Sequence, residues 1–438
     1  MSSSPAIIPA TIPAASEPNE ASTFERLESN VRSYCRAFPT VFTRAKDAFQ
    51  WDEAGRQYLD FFSGAGALNY GHNPDSIKRR LLAYLESDGV IHGLDMYTSA
   101  KRRFLETLEE VVLRPRGLEY KVQFCGPTGT NAVEAAMKLA RRITGRYPVF
   151  GFTGGYHGMS LGSLAITANR SSRIAAGVPL PFGAFLPFAD GPYRMEDSLG
   201  FVEAMLEDAN SGIDLPAAIV FETIQSEGGI YLAPIPWLQR LRRICDKYGI
   251  VLICDDIQTG CGRTGTFFSF ERAGIVPDMV TLSKSIGGYG LPMSLVLMRP
   301  ALDVWNPAEH TGTFRGHQLA FVGATAALDE YWRTGELTRS VADKARLVEG
   351  TLAQRIAPLA AGLAIRGAGL LWGIDLAGCG GESVSGRVAR KCFERGLIVE
   401  RCGREDTVLK IMPPLTIDPE LLIQGLSVIE QALREELA

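Results

Sequence analysis

Two charged residues, Asp255 and Lys284, each follow a short apolar run at the point where a buried strand is expected to end. Ile250 to Cys254 form the first run and Met279 to Leu282 form the second. A glycine-rich stretch follows Lys284, which argues against a solvated surface lysine. Burying either charge alone would be costly, so we expect a ligand that needs both groups to lie between them.

A pyridoxal phosphate ring has these needs. Its aldehyde bonds to a lysine amine, and a carboxylate keeps its pyridine nitrogen protonated, which makes the ring an electron sink. We therefore assign Lys284 to the aldehyde and Asp255 to the pyridine nitrogen, and predict that both are catalytic. The same region also fits the G-x-G-x-x-G fingerprint of dinucleotide-binding folds at Gly260 to Gly265. Five residues separate that fingerprint from the strand and no helical pattern follows it, so we favour pyridoxal phosphate.

The phosphate of such a cofactor needs a site of its own. The predicted strand Lys121 to Cys125 leads into the glycine turn GPTGTNAVEAA, which opens an amphipathic helix. Free N–H groups at a helix start suit a phosphate, so Gly129 and Thr130 are predicted ligands, with an ordinary helix cap as the alternative. Tyr156, in the turn TGGYHG, is predicted to stack on the cofactor ring; a plain core tyrosine is the alternative.

The chain alternates predicted strands and helices, which is typical of an α/β protein. We predict a large cofactor-binding domain at residues 76–333. A smaller α/β domain is predicted from residues 23–75 together with 334–438, because the first strands have no other partner. Residues 1–22 are rich in Ser, Pro and Ala and are predicted to be a disordered tail rather than a signal peptide.

Composition argues against several classes of protein. Lys and Arg number 45 against 49 Asp and Glu, a net charge of −4, so no basic field favours nucleic acid. No apolar run approaches the ~20 residues that span a membrane. The 8 cysteines contain no C-x-x-C pair, and we interpret them as reduced residues of a cytoplasmic protein without a metal site. His72 is predicted to be a structural hydrogen-bonding residue.

Seven motifs are specific when taken together: PTGTNAVEAA, YHG, ETIQSEGG, LICDDIQTGCGRTG, LSKSIGGYGLP, TGTFRGHQLA and PPLTI. With them the chain resembles the class III (ω-) aminotransferases, a family of fold-type I pyridoxal phosphate enzymes. The resemblance implies a mostly parallel seven-stranded sheet flanked by helices in the large domain. It also implies that Gln258 lies near the phenolic oxygen of the cofactor and that Thr313 reaches the phosphate across a subunit interface. The implied assembly is a homodimer or a dimer of dimers.

The stretches DGVIHGLDMYTSAKR and GTFRGHQLAF are most similar to the branch of this family that makes L-2,4-diaminobutyrate for ectoine synthesis. The implied substrates are small molecules: glutamate donates an amino group to the terminal aldehyde of L-aspartate 4-semialdehyde. Many family members bind the glutamate α-carboxylate with an arginine where this chain has Lys410. Glu227 matches the partner of that arginine, so Glu227 and Lys410 are the predicted substrate-binding pair. A lysine cannot make the bidentate fork of an arginine, so how 2-oxoglutarate is held stays open.

Three alternatives remain. Another ω-aminotransferase would act on ornithine, GABA or a natural-product aldehyde. An aminomutase or racemase of the same fold would need no 2-oxoglutarate. A non-enzymatic cofactor-binding protein would show a visible absorption band that no amine bleaches.

Overall fold

The computed structural model describes residues 21–437 except 190, 192 and 194. The predicted disordered tail therefore lies outside the described residues except for its last two. The strands are β1 (Phe42–Lys46), β2 (Phe49–Asp52), β3 (Gln57–Asp60), β4 (Lys121–Phe124), β5 (Val149–Phe152), β6 (Gly183–Leu186), β7 (Ala218–Phe221), β8 (Ile224–Gln225), β9 (Tyr231–Leu232), β10 (Val251–Asp255), β11 (Met279–Leu282), β12 (Leu295–Met298), β13 (Ala364–Ala368), β14 (Leu371–Asp375), β15 (Leu397–Ile398), β16 (Glu400–Cys402) and β17 (Val408–Ile411).

The helices include three of only four residues as well as long amphipathic ones. They are α1 (Ala21–Leu27), α2 (Tyr34–Ala37), α3 (Ser63–Gly66), α4 (Asp75–Glu86), α5 (Ser99–Leu108), α6 (Gly129–Thr144), α7 (Leu161–Leu164), α8 (Arg170–Ile174), α9 (Ser198–Glu207), α10 (Ile235–Tyr248), α11 (Gln318–Tyr331), α12 (Glu336–Thr351), α13 (Gly381–Glu394) and α14 (Pro419–Leu437).

The central sheet has seven strands in the order β4-β12-β11-β10-β7-β5-β6. Strand β12 runs antiparallel to both of its neighbours, and the other neighbouring pairs are parallel. The predicted mostly parallel seven-stranded sheet is therefore confirmed. Every residue of β5, β7, β10 and β11 is buried, as expected for parallel strands that are covered on both faces.

Alternation along β10 explains how helices cover both faces of this sheet. Leu252 and Cys254 belong to the same apolar cluster as Leu238 and Leu241 of α10. Val251 and Ile253 belong to a second cluster that contains the apolar face of α6. Because successive side chains of a strand point to opposite faces, this division places α6 and α10 on opposite sides of β10. These packed helices hold the carboxyl ends of the parallel strands along one edge of the central sheet.

Two smaller sheets lie outside this core. The order β13-β14-β17-β16 forms an antiparallel sheet, and β1-β2-β3-β15 forms the other. Leu397 of β15 pairs in parallel with Leu59 of β3, so the first strands do join the C-terminal part of the chain. The domain boundaries at 75 and 334 stay a prediction. Over the described residues, no helix is both long and apolar enough to cross a bilayer.

Candidate active site

Asp255 and Lys284 lie at the same edge of the central sheet. Asp255 ends β10 and pairs with Thr281 on the parallel neighbour β11, and Lys284 follows Thr281 by three residues. Lys284 begins a short 3-10 turn and has a φ of 53°, a left-handed conformation that is unusual for a residue other than glycine. Strained backbone of this kind is held in place by its surroundings and is typical of functional sites.

The Asp255 carboxylate is buried and oriented by hydrogen bonds. Its Oδ2 lies 2.8 Å from Nδ1 of His157, and its Oδ1 accepts from the Thr281 hydroxyl at 3.3 Å. Burial disfavours the protonated form of His157, but the hydrogen bond and the charge of Asp255 outweigh burial and raise its pKa. Asp255 therefore faces a histidine that carries a proton readily. His157 is not among the predicted site residues, although it stands beside Tyr156 in the YHG motif.

A second carboxyl group, Glu222, lies close to this pair. It follows the last residue of β7, and its Oε1 accepts a hydrogen bond from the backbone N–H of Tyr156 at 3.0 Å. Burial, reinforced by the charge of Asp255 and opposed by that of His157, raises the pKa of Glu222 to about 8. Glu222 is thus mainly protonated at neutral pH. Glu222 begins the motif ETIQSEGG, but the sequence alone does not indicate its role.

The predicted phosphate turn opens α6. Gly129 is the first residue of this helix, and Thr128 before it makes no side-chain cap. The Thr130 hydroxyl lies 2.6 Å from that of Ser160 and 2.5 Å from that of Ser163. Because this hydroxyl is engaged by the loop after β5, the backbone N–H groups of Gly129 and Thr130 are the groups that this turn offers a phosphate.

The other predicted cofactor-binding residues are Tyr156, Gln258 and Thr313, and each has a different environment. Tyr156 keeps 39% of its surface exposed, and burial of the rest together with the charge of Glu227 raises the pKa of its phenol. Gln258 donates from Nε2 to the Ala65 carbonyl at 2.8 Å and also lies beside Glu227, whose charged form it stabilises. Thr313 is exposed in the loop between β12 and α11.

Lys410 is fully buried between two carboxylates. Its Nζ lies 2.6 Å from Oε1 of Glu227 and 2.7 Å from Oε2 of Glu400. Burial disfavours the charge of Lys410, but the two carboxylates outweigh burial and hold its pKa well above the usual value. Burial would likewise raise the pKa of Glu227, yet the charges of Lys410 and Lys284 lower it. The structure thus brings the predicted pair into direct contact and adds Glu400, which the sequence did not indicate.

The charges of Lys410, Glu227 and Glu400 also affect the pKa of the Lys284 amine. Burial lowers the pKa of its amine, and the nearby Lys410 charge acts in the same direction against the attraction of Glu227 and Glu400. An amine with a lowered pKa is more often neutral, which suits both bonding to an aldehyde and accepting a proton.

A cleft of about 1150 Å³ opens beside these residues. Its lining includes Tyr156 and Glu227 together with Arg170 and Arg404. Arg315 belongs to the loop before α11 and donates to the His310 carbonyl at 2.6 Å. The lining of the cleft therefore combines an aromatic side chain, a carboxylate and two arginines.

These groups fit the three parts of pyridoxal phosphate. The amine of Lys284 suits the aldehyde, and the buried Asp255 carboxylate suits a protonated ring nitrogen. The start of α6, which Thr128 leaves uncapped, suits the phosphate.

Comparison with known proteins agrees with this geometry. The model of the class-III aminotransferase family matches residues 32–433. The chain is 53% identical over 417 residues to a diaminobutyrate–2-oxoglutarate transaminase of Bordetella parapertussis, covering 95% of each protein. It is 54% identical over 415 residues to a diaminobutyrate–2-oxoglutarate transaminase of Nocardia farcinica, covering 94% of each. A solved taurine:2-oxoglutarate aminotransferase of Bifidobacterium kashiwanohense, in complex with PLP and glutamate, superposes with a TM-score of 0.80 at 25% identity, covering 91% of this chain and 94% of the other.

Proposed function

Since the chain belongs to the class III aminotransferases, which use pyridoxal phosphate, we propose that it interconverts glutamate and L-aspartate 4-semialdehyde with 2-oxoglutarate and L-2,4-diaminobutyrate. The observation that carries amino transfer is the arrangement of Asp255 and Lys284 at the ends of neighbouring parallel strands. The choice of substrates is supported by relatives named as diaminobutyrate–2-oxoglutarate transaminases at 50–54% identity.

The bound cofactor supplies an electron sink that stabilises the carbanion formed when the amino-bearing carbon loses its proton. Asp255 keeps a positive charge on the ring nitrogen, and His157 holds Asp255 in the orientation for this contact. The free amine of Lys284 takes the proton from the amino-bearing carbon of the substrate. Its lowered pKa increases the share of the neutral, proton-accepting form.

The remaining cofactor contacts that we propose come from the sequence motifs and from the family resemblance. The N–H groups of Gly129 and Thr130 would donate to the phosphate, and Tyr156 would cover one face of the ring. By the resemblance, Gln258 would provide an amide near the phenolic oxygen.

Glu227 and Lys410 adapt the site to two different substrate ends. The reacting carbon of diaminobutyrate carries no carboxylate, so Lys410 stays paired with Glu227. The reacting carbon of glutamate carries its α-carboxylate, which displaces Glu227 from Lys410. Glu227 can move because 30% of its side-chain surface is exposed to the cleft. At the rim, Arg170 and Arg404 are available for the distal carboxylate of glutamate.

A homodimer accounts for the surface around Thr313. Its neighbour Phe314 is 65% exposed, and Met96 and Tyr97 are 58% and 101% exposed. Apolar side chains this exposed are typical of a surface that another subunit covers. We infer that Thr313 reaches the phosphate of the other subunit from this surface. Ectoine synthesis as the pathway and the cytoplasm as the location stay predictions from the sequence.

An aldehyde screen tests the proposed substrates. The purified enzyme receives glutamate as donor with the aldehydes derived from diaminobutyrate, ornithine and GABA, and release of 2-oxoglutarate is measured. We expect the highest kcat/KM with L-aspartate 4-semialdehyde. Faster turnover with either of the other two aldehydes would reject the substrate assignment, and conversion of an amino substrate without release of 2-oxoglutarate would indicate an aminomutase.

A further inference from the structure

The two carboxylates around Lys410 are held in different ways. Glu400 on β16 lies directly opposite Lys410 on β17 in the antiparallel register, and only 9% of its side-chain surface is exposed. Glu227 comes from the loop after β8, and 30% of its side chain is exposed. The sheet thus fixes Glu400 beside Lys410, whereas the Glu227 side chain is free to leave.

A backbone hydrogen bond also holds Glu227 in place without restraining its side chain. The N–H of Gly403, just beyond β16, donates to the Glu227 carbonyl at 3.0 Å. This bond keeps the Glu227 backbone against the sheet while its side chain turns. When a substrate carboxylate replaces Glu227, the Glu400 carboxylate stays at Lys410.

One carboxylate oxygen of Glu400 can accept a further hydrogen bond. Its Oε2 lies within ion-pair distance of Lys410 but, among the described residues, has no partner with hydrogen-bond geometry. Burial raises the pKa of Glu400, and the charges of Lys410 and Lys284 oppose this shift by favouring its charged form. The charge of Glu400 also reaches Lys284. Glu400 therefore places a second carboxylate beside the proposed substrate site, in addition to the Glu227 carboxylate that already pairs with Lys410.

We propose that Glu400 is a specificity-determining residue, whose fixed negative charge beside Lys410 disfavours substrates with a carboxylate on the reacting carbon. This inference rests on the proposed function and explains how one site distinguishes its two amino donors. Lys410 has three N–H donors, so it can bind Glu400 and a substrate carboxylate together. With glutamate bound, three carboxylates then lie near one ammonium group: Glu400 and the substrate carboxylate contact Lys410, and Glu227 is turned toward the cleft.

Diaminobutyrate does not meet this repulsion. Its reacting carbon bears two hydrogen atoms and no carboxylate, so only the carboxylates of Glu227 and Glu400 lie near Lys410. Like charges a few Å apart in a partly dry site change binding by about tenfold or more. Removing the charge of Glu400 should therefore strengthen binding of glutamate and leave diaminobutyrate unaffected or slightly weakened.

The test compares Glu400→Gln with the wild-type holoenzyme. Both half-reactions are followed by the cofactor absorbance, and the dissociation constant of 2-oxoglutarate, which carries carboxylates but no amine, is measured by calorimetry. We expect the KM of glutamate and the dissociation constant of 2-oxoglutarate to fall about tenfold, with the KM of diaminobutyrate changed less than about twofold. Glu400→Asp keeps the charge and should retain the wild-type preference.

Glu394→Gln is a matched control, because it removes one negative charge from an exposed position at the end of α13. Equal changes for both donors in Glu400→Gln would mean that Glu400 is structural, and unchanged constants would mean that it carries no charge in the site; either result overturns the proposal. A wild-type enzyme that does not react with diaminobutyrate refutes the proposed substrate instead. The same comparison would then use the amine that the wild type does accept, provided its reacting carbon bears no carboxylate.

Discussion

Replacing Lys410 with alanine removes the only cation between Glu227 and Glu400 among the described residues. Loss of one partner from a buried ion pair typically destabilises a protein by about 3–5 kcal/mol. Glu227 is partly exposed and can turn toward the cleft, whereas Glu400 is held by the sheet and must take up a proton. We therefore expect a loss near the lower end, about 3 kcal/mol, in the free energy of unfolding.

The same substitution should separate the two substrates. A hydrogen bond to a charged group contributes about 1.5–3 kcal/mol, so losing the Lys410 contact should raise the KM of glutamate and of 2-oxoglutarate about 10- to 100-fold. Diaminobutyrate places no carboxylate there, so its KM should change far less. Stopped-flow absorbance of each half-reaction measures both, with an unchanged cofactor spectrum as the check on the active site.

Lys410→Arg is the matched variant, since it keeps the charge and should recover glutamate use unless the longer side chain clashes. Equal losses for both substrates in Lys410→Ala would refute the reasoning. The α-carboxylate would then be bound elsewhere, with Arg315 as one candidate.

Three other predictions concern the rest of the site. Asp255→Asn keeps the shape but removes the charge at the ring nitrogen, so the glutamate half-reaction should slow by roughly 100-fold or more with cofactor still bound; near-normal kinetics would exclude this role. Thr313→Ala should weaken cofactor retention during dialysis, and a dilute monomer with full activity, shown by light scattering beside the assay, would contradict the shared site. Glu222 has a pKa of about 8 in the folded protein against a usual value of 4.5, so the folded state binds the extra proton and stability falls as pH rises through this window. The fall from pH 6 to 8 in the cofactor-free protein should reach about 2 kcal/mol, and Glu222→Gln should remove that part of the slope in denaturant titrations.

Much of the fold could be predicted because its signals are local. The apolar runs predicted before Asp255 and before Lys284 are the strands β10 and β11 in the structure. The amphipathic pattern that begins at Gly129 is the helix α6. The sequence from Phe24 to Tyr34 predicts a single helix, and this prediction is wrong, because α1 ends at Leu27 and α2 begins at Tyr34. His72 is confirmed as a structural residue, with its Nε2 2.7 Å from the Asp60 carboxylate.

The unpredicted part of the site depends on pairing between distant segments. Glu400 precedes Lys410 by ten residues. Nothing in the sequence LIVERCG (397–403) indicates that β16 and β17 pair so that these two residues lie side by side. The contact between His157 and Asp255 joins residues 98 positions apart, across β5 and β10. The raised pKa of Glu222 arises from burial, which depends on the completed packing of the sheet.

Reduction with borohydride tests the central claim most directly, because it makes the bond between cofactor and lysine permanent. The reduced protein is digested, and mass spectrometry locates the peptide that carries the cofactor mass. The account predicts the adduct on Lys284, and its loss together with the visible absorption band in a folded Lys284→Ala protein. An adduct on another lysine, or turnover by Lys284→Ala at a comparable rate, would contradict the assignment of Lys284.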